Sequence, residues 1–400
     1  MKKAKRLSQV QASLTLAITA KAAAMKNEGI DIISFGAGEP DFNTPAPVIE
    51  AAKNALDNGM TKYTAVAGLP ALRAEIAAWY SREFGIETSA DQVIVGVGGK
   101  QVIYNAIMSI IDPGDKALIP APYWLSYPAM VHLAGGDVAF IDTKEDENFL
   151  MTPNMLEEAI VKHTPALLIL NSPSNPTGQA YTENDLRALA DVLRRHPDVN
   201  ILWDNIYAHL TYGGFKHVEL SKVAPDLAPR IVTTGGFSKS FAMTGWRLGF
   251  AIADPERIRM MSTLQSHSTS NATSFAQAGA IAALKLDKNI LEDMRKTFEN
   301  RRNIVLDEIS KIDGVSCAAP MGAFYVLLNC KKFCNIEHGL HWIQSDIDLA
   351  KFILEEGHVA TVPGSAFGAP GYLRLSFALD EDSIRKGIQR IGAALESLKA

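Results

Sequence analysis

A lysine and an arginine in one loop are the first residues whose types could do chemistry. Lys239 and Arg247 lie in the stretch SKSFAMTGWR, residues 238–247, between two apolar segments. Lysine forms Schiff bases with aldehydes, and arginine can hold a phosphate through two parallel hydrogen bonds. A lysine in such a loop is usually a solvated residue, so the hypothesis of a reactive lysine depends on the motifs around it.

Two polar motifs that directly follow apolar segments add an amide and a carboxylate. The stretch NSPSNPTG (171–178) contains Asn175, a candidate donor to a ligand oxygen, although Asn, Pro and Gly are also ordinary turn residues. The stretch WDNIY (203–207) contains Asp204, whose carboxylate could pair with a ring nitrogen of a cofactor and keep it protonated. The alternative for Asp204 is a cap on a following helix.

The stretch GVGGKQ (96–101) predicts a glycine-lined start of a helix. It lacks the third glycine of a dinucleotide-binding loop and the Ser or Thr of a Walker A loop, so both are excluded. Free backbone N–H groups there suit a small phosphate, although a plain tight turn is an equal alternative. Together the motifs supply a phosphate cradle, an acid, an amide and an amine. Pyridoxal 5'-phosphate requires this set for its phosphate, ring nitrogen, phenolic oxygen and aldehyde.

These motifs need a scaffold that brings strand ends together, and the apolar pattern predicts one. Short apolar strands alternate with helical patterns, which is typical of βαβ units on a largely parallel sheet. The carboxyl ends of parallel strands share one edge, where open α/β sheets bind ligands. The predicted strands span residues 92–97, 116–119, 166–170, 200–203, 230–234 and 248–252.

Near residue 285 the alternation of apolar strands and helical patterns gives way to a long charged stretch followed by different strands. This change predicts an α/β protein in three parts. Residues 1–45 are expected to form an arm that packs on the small domain, and residues 46–285 a large cofactor-binding domain. Residues 286–400 are expected to form a smaller α+β domain, because AFYVLLN and YLRLSFAL read as strands. The charged stretch 287–311 is predicted to be a connecting helix with a solvated face.

Composition excludes several classes of protein and partner. The chain has 400 residues, 47% hydrophobic and 21% charged, which rules out disordered, fibrous and disulfide-scaffold classes. The formal net charge is -5, and no basic block predicts a nucleic acid or an anionic membrane as partner. Three cysteines and no bilayer-length apolar run favour a cytoplasmic location. His338 and His341 lack a third ligand nearby, so no metal site is expected.

The order of these motifs along the chain is similar to that of a known family. The sequence resembles the fold-type I, pyridoxal-phosphate-dependent class I aminotransferases, and most of all their bacterial aspartate aminotransferase subgroup. The resemblance implies a large domain with a mostly parallel central sheet and a smaller α+β domain. The stretches that carry it are GAGEPDFNTP (36–45), KYTAVAGLPALR (62–73), GGKQVIYNA (98–106), PYWLSYP (122–128), NSPSNPTG (171–178), WDNIY (203–207), SKSFAMTGWRLG (238–249), GAFYV (322–326) and PGSAFG with YLRLSFA (363–378).

The resemblance implies roles at the cofactor ring for five residues. Lys239 would form the Schiff base and then carry the proton between the substrate Cα and the cofactor. Asp204 would pair with the ring nitrogen, and Trp124 would stack on the ring. Asn175 and Tyr207 would hydrogen-bond the ring hydroxyl.

It also implies a set of phosphate contacts and a second subunit. Gly99 and Lys100 at the predicted helix start would hold the phosphate together with Ser238 and Arg247. Tyr63 would reach the phosphate of the neighbouring subunit, which makes the expected active unit a homodimer.

For the substrate, the resemblance implies ping-pong transamination between an acidic amino acid and 2-oxoglutarate. Gly38 and Arg374 would bind the α-carboxylate, with Asn175 and Trp124 alongside, although Arg374 could instead be an exposed strand cation. Lys100 is the candidate for the distal carboxylate, and the alternative is that it only neutralises the phosphate or is exposed.

Several other activities remain open on the sequence alone. Relatives that aminate prephenate carry Lys-Pro where this chain has Gln11 and Ala12, which puts that activity in doubt. Aromatic or alanine specificity, and a C–S β-lyase that would release pyruvate and a thiol, use the same cofactor motifs. A cofactor-binding regulator is disfavoured, because no basic recognition segment appears.

Overall fold

The computed structural model describes residues 4–8, 10, 14–338 and 341–399. Gln11 and Ala12, which bear on prephenate, lie outside the described residues. None of the helices in the described part is both long and apolar enough to cross a membrane. The helices are α1 (Leu14–Asn27), α2 (Ala46–Asp57), α3 (Pro70–Phe84), α4 (Gly99–Met108), α5 (Ser126–Ala134), α6 (Pro153–His163), α7 (Glu183–Arg195), α8 (Leu220–Val223), α9 (Pro255–Ser266), α10 (Ser274–Ala283), α11 (Lys288–Ile309), α12 (Asp346–Gly357) and α13 (Glu381–Ser397).

The strands follow the same alternating order along the chain. They are β1 (Ile33–Ser34), β2 (Val93–Gly96), β3 (Lys116–Ala121), β4 (Asp137–Asp142), β5 (Leu167–Asn171), β6 (Asn200–Asp204), β7 (Ile231–Gly236), β8 (Gly249–Ile252), β9 (Tyr325–Asn329), β10 (Ile336–His338), β11 (His341–Ile343), β12 (Val359–Ala360), β13 (Val362–Pro363) and β14 (Tyr372–Ser376). Each of the six strands predicted from the sequence is present, and no end differs from its prediction by more than two residues.

A seven-stranded sheet forms the centre of the molecule, in the order β2-β8-β7-β6-β5-β3-β4. The strands from β7 across to β4 all pair in parallel, which confirms the predicted α/β class. β8 is antiparallel to both of its neighbours. The connection from β7 to β8 contains a short 3-10 turn and no α-helix to carry the chain back, so the strand returns in the opposite direction.

The sheet is buried on both faces, and its side chains alternate between two apolar clusters. In β5, Leu168 and Leu170 face one cluster, while Leu167 and Ile169 face the other. This period of two is the geometry of a pleated strand, and a strand covered on both sides reads as a continuous apolar run. The polar motifs begin where those runs end, so the fold places them together at one edge of the sheet.

The C-terminal part of the chain builds a second core around an antiparallel sheet of three strands, β13-β14-β9. α11 and α12 both pack against α13 beside it. β1 pairs in parallel with β12, which attaches the chain near residue 33 to this core. The bounds of the predicted domains stay a prediction.

The connecting helix α11 differs from its prediction as a solvated face. Phe298, Arg301, Val305 and Glu308 on it are buried against the C-terminal core. Two of these residues are charged. The many charged residues in this stretch of sequence therefore led to the prediction of a solvated face, although one face of the helix is buried.

Candidate active site

The carboxyl ends of β5, β6 and β7 open into a cavity of about 820 Å³. Eleven of the twelve site residues predicted from the sequence line it, and Tyr63 is the exception. The eleven are Gly38, Gly99, Lys100, Trp124, Asn175, Asp204, Tyr207, Ser238, Lys239, Arg247 and Arg374. Residues separated by more than 300 positions in the chain therefore meet in one place, while the role of each remains a prediction.

Lys239 lies in the loop after β7, where its amine is the candidate nucleophile. Burial lowers the pKa of Lys239 to about 8, and the charges of Arg374 and Arg247 act in the same direction. The carboxylate of Glu39 opposes this and raises that pKa. The Lys239 amine donates a hydrogen bond to the Gly38 carbonyl. A lysine with this pKa is neutral often enough near pH 7 to attack a carbonyl carbon.

Asp204 is the last residue of β6 and is 4% exposed. Burial raises the pKa of Asp204 to about 6, while hydrogen bonds from Tyr127 Oη at 2.6 Å and Ile206 N at 3.1 Å lower it. The residues that follow Asp204 form turns and no helix, so the alternative of a helix cap is wrong. A buried carboxylate in need of a positive partner suits a protonated ring nitrogen.

The start of α4 forms an anion cradle with the loop that carries Arg247. A Cβ at Gly98 would lie 2.7 Å from Arg247 Nη2, and one at Gly249 would lie 2.3 Å from Gly99 N. These glycines therefore let the guanidinium and the helix start approach closely. Backbone N–H groups, the guanidinium and the hydroxyl of Ser238 form a donor set that fits a phosphate. Both the phosphate and the tight-turn interpretations of GVGGKQ agree with this geometry.

Arg374 lies in β14, lines the cavity and is 4% exposed. Its Nη1 donates to Asn175 Oδ1 at 3.2 Å and its Nη2 to the Gly36 carbonyl at 3.0 Å. The guanidinium carbon lies 4.5 Å from the centre of the Tyr325 ring. The alternative of an exposed strand cation is therefore wrong. No carboxylate pairs with Arg374 in the described part of the chain, and its Nε is buried without a partner there, so an anionic ligand would complete its pairing.

Aromatic side chains line the space between these charged groups. Tyr207 Oη lies 3.1 Å from Tyr325 Oη, and burial raises the pKa of Tyr207 well above its ordinary value. The Trp124 ring meets the Tyr127 ring edge to face, with centroids 5.2 Å apart. Lys100 Nζ lies 4.9 Å from the centre of the Trp124 ring, and this lysine lines the cavity while it remains exposed to solvent, as one of the alternatives for it stated. Burial, and then the charge of Arg247, lower the pKa of Lys100.

Tyr63 stands apart from the cavity and is 91% exposed. An aromatic ring that is so exposed has no packing role within its own chain. This exposure is compatible with the predicted contact to a second subunit but does not test it.

Sequence reasoning missed three residues of the site. Tyr127, which donates to Asp204, lies in the PYWLSYP stretch, and Tyr325, beneath Arg374, lies in GAFYV. Glu39, whose Oε2 accepts from Thr244 Oγ1 at 2.7 Å, lies in GAGEPDF. All three belong to stretches that carried the resemblance, so their motifs were found but their contacts were not.

Known proteins resemble this chain over almost its full length. Residues 30–391 match the family described as aminotransferase class I and II. The chain is 44% identical over 397 residues to an aspartate aminotransferase of Geobacillus stearothermophilus, covering 99% of this chain and 100% of that protein. It is 42% identical over 397 residues to an aspartate/prephenate aminotransferase of Nitrosomonas europaea, covering 99% and 100%. The crystal structure of the aspartate aminotransferase from Rhizobium meliloti has a TM-score of 0.95 at 41% identity, covering 99% of each chain.

Proposed function

The chain belongs to the class I and II aminotransferase family, and on that basis we propose that it transfers an amino group between L-aspartate and 2-oxoglutarate. The reaction converts these two substrates into oxaloacetate and L-glutamate, so no further reactant is needed. The observation that carries the choice of substrate is a cavity lined by a buried arginine, Arg374, and an exposed lysine, Lys100. Two separated cations suit an amino acid that has two carboxylates.

Pyridoxal 5'-phosphate is the cofactor of this enzyme, and when bound it supplies an aldehyde that takes up an amine and a ring that accepts electrons. The start of α4, Ser238 and Arg247 would hold its phosphate, because they form the anion cradle. Asp204 would hold its ring nitrogen. The carboxylate is buried and its pKa is raised to about 6, so a positive partner is favourable there.

Lys239 Nζ acts as the base that takes the proton from the substrate Cα. Its pKa of about 8 lies close to a working pH near neutrality, where general bases are most effective. Because only the neutral amine accepts a proton, we expect activity to rise as the pH increases toward about 8.

Arg374 binds the α-carboxylate and so orients the Cα–H bond toward Lys239. The Asn175 amide and the Gly36 carbonyl hold the guanidinium on two sides, which fixes its plane before substrate arrives. Lys100 binds the distal carboxylate. Binding both carboxylates is a positioning effect. It holds the substrate in the orientation from which the Cα proton can be transferred to Lys239.

A product assay tests this function and its competitors. Purified enzyme supplied with L-aspartate and 2-oxoglutarate should form oxaloacetate and L-glutamate. The rate should be lower when phenylalanine or alanine replaces aspartate as the amino-group donor, and lower when prephenate replaces 2-oxoglutarate as the acceptor. Pyruvate and a thiol released from a cysteine conjugate at a higher rate would show a β-lyase instead.

Substitution at Lys100 tests the basis of the substrate choice. Lys100→Met should lower kcat/KM for aspartate by about 10- to 100-fold, the loss expected for one hydrogen bond to a charged group, and should change alanine much less. Lys53→Met is the matched control, because Lys53 pairs with Glu50 on the exposed surface of α2 and does not line the cavity. Equal losses for aspartate and alanine in Lys100→Met would mean that Lys100 serves the cofactor alone.

We also propose that the active unit is a homodimer in which Tyr63 completes the site of the partner subunit. A hybrid dimer tests this, formed from one Lys239→Ala subunit and one Tyr63→Ala subunit. If Tyr63 acts across the interface, one of the two sites in the hybrid contains both intact residues, and activity returns. If Tyr63 acts within its own chain, both sites remain damaged and the hybrid stays as inactive as its parents.

A further inference from the structure

The segment of residues 36–41 touches both of the groups that the proposed reaction needs most. The Gly36 carbonyl accepts a hydrogen bond from Arg374 at 3.0 Å, and the Gly38 carbonyl accepts one from Lys239. Two glycines and an alanine at its start leave this segment few side chains with which to hold its own path. Within the segment, Glu39 accepts a hydrogen bond from Thr244 at 2.7 Å, and further contacts hold the backbone at the two ends of the segment.

The N-terminal end of the segment is fixed by the backbone of the C-terminal core. Phe35 N donates to the Ala360 carbonyl at 2.8 Å, and the Phe35 carbonyl accepts from Ser376 N at 2.9 Å. Phe35 itself is fully buried. These contacts fix residue 35 but leave the path of the following residues open.

The other end is fixed by an ion pair with α11. Arg301 Nη1 donates to Asp41 Oδ1 at 2.7 Å, and Arg301 Nη2 donates to Asp41 Oδ2 at 2.8 Å. The guanidinium carbon lies 5.3 Å from the centre of the Phe42 ring and 5.6 Å from that of Phe298. Two parallel hydrogen bonds and two aromatic rings define both the plane and the location of this guanidinium.

The deeper burial of Arg301 distinguishes its ion pair from those that Arg295 forms on α11. The Arg301 side chain is 8% exposed, and Asp41 is the one carboxylate that pairs with it in the described part of the chain. On the same helix, the half-buried Arg295 forms ion pairs with Glu292 and Glu299 and donates to the Thr211 carbonyl at 2.9 Å, and none of these partners belongs to residues 36–41. The ion pair of Arg301 therefore connects α11 to the segment of residues 36–41, whereas those of Arg295 lie within α11.

We propose that Arg301 is a positioning residue for substrate binding, which acts through Asp41 on the segment of residues 36–41. The inference rests on the proposed function, because it assigns the same cavity to a dicarboxylic substrate. With Asp41 released, the Gly36 and Gly38 carbonyls lose their fixed distance to Arg374 and Lys239. The guanidinium of Arg374 then meets the substrate carboxylate in a wider range of orientations.

The test compares Arg301→Met with Arg295→Met in the holoenzyme. The first readout is the affinity for succinate, a dicarboxylate with no amino group to react, measured by titration calorimetry. We expect Arg301→Met to weaken succinate binding about tenfold, the lower end of the loss of one hydrogen bond to a charged group, and Arg295→Met to leave it unchanged. In steady-state assays KM for aspartate should rise about tenfold, and kcat should fall by a smaller factor, because the contact of Gly38 with Lys239 is loosened as well.

Hydrogen exchange supplies a readout that does not depend on the cofactor. Backbone amides of residues 36–44 should exchange faster in Arg301→Met than in wild type or in Arg295→Met. Succinate affinity within about twofold of wild type, or an equal loss in Arg295→Met, would overturn the proposal, since a general weakening of α11 would then explain the data.

Two further variants keep the proposal testable if Arg301→Met fails to fold. Asp41→Asn removes the other member of the pair, and Arg301→Lys keeps the charge but loses the two parallel hydrogen bonds. Asp41→Asn should weaken succinate binding as much as Arg301→Met, Arg301→Lys should weaken it less, and the effects should not add in the double variant. A wild-type enzyme that binds succinate but does not transaminate would refute the proposed function, while the succinate titrations would still decide the role of Arg301.

Discussion

Replacing Glu39 with glutamine should lower the pKa of Lys239 below its value of about 8. Burial is the main cause of the departure of this pKa from the ordinary 10.5, and the Glu39 carboxylate is the group that opposes it. At pH 7 a lysine with a pKa of about 8 is neutral in roughly one molecule in ten, against roughly three in ten thousand for an ordinary lysine. Burial in the cavity therefore raises the fraction of neutral, reactive Lys239 amine at pH 7 several-hundredfold.

The effect of Glu39 on Lys239 is smaller, because Glu39 lines the cavity but is exposed to solvent. Exposed charge pairs in proteins are worth roughly 0.5–1 kcal/mol, which corresponds to a roughly two- to fivefold change in the neutral fraction at pH 7. Thr244→Val supplies the control. It removes the hydroxyl that donates to Glu39 at 2.7 Å but keeps both charges, so the pKa of Lys239 should stay near that of wild type.

Timed chemical labelling of the enzyme, freed of cofactor, measures this pKa directly. Acetic anhydride modifies only neutral amines, and mass spectrometry of the peptide that contains Lys239 gives the rate at each pH. The expected midpoint is about 8 in wild type, with labelling at pH 7 roughly two- to fivefold faster in Glu39→Gln. A wild-type midpoint near 10.5, or slower labelling in Glu39→Gln, would refute the electrostatic reasoning.

Three other substitutions test separate parts of the site. Tyr127→Phe removes a 2.6 Å hydrogen bond that lowers the pKa of Asp204. Infrared titration of the Asp204 carboxyl should therefore show a pKa above about 6, and an unchanged value would contradict the assignment. Arg374→Lys should raise KM for every amino acid substrate by about 10- to 100-fold in steady-state assays, because lysine cannot form two parallel hydrogen bonds with a carboxylate. Gly249→Ala should lower the melting temperature and weaken cofactor binding, because the added Cβ would lie 2.3 Å from Gly99 N. Gly245→Ala is the control: its Cβ would meet no atom within 4 Å, and the variant should have the melting temperature of wild type.

The central sheet was predictable from the sequence because its strands are buried on both faces and read as apolar runs. The direction of β8 was not, because a run of apolar residues does not state whether a strand is parallel to its neighbours. β4 was not predicted either, since this edge strand begins and ends with aspartate and alternates between buried and exposed residues. Local patterns thus locate strands better than they orient them.

The site was predicted motif by motif, and what the motifs could not supply was the contacts between them. Asp41 and Arg301 are 260 residues apart, and nothing in the pattern around either indicates the other. Arg301 lies in a charged helix that reads as solvated, because periodicity does not distinguish a buried cation with a distant partner from an exposed one. Tyr127 was similarly hidden, since its position three residues after Trp124 does not reveal that it bonds to Asp204.

The most direct test of the central claim is the absorbance spectrum of the purified holoenzyme before and after L-aspartate is added without any oxo acid. We predict a cofactor band that aspartate converts to the band of the aminated cofactor, with phenylalanine and alanine acting more slowly. Lys239→Ala should bind the cofactor but lose this conversion. A wild-type protein that shows no cofactor band even after pyridoxal 5'-phosphate is added would contradict the catalytic assignment, and a band that aspartate leaves unchanged would contradict the assigned substrate.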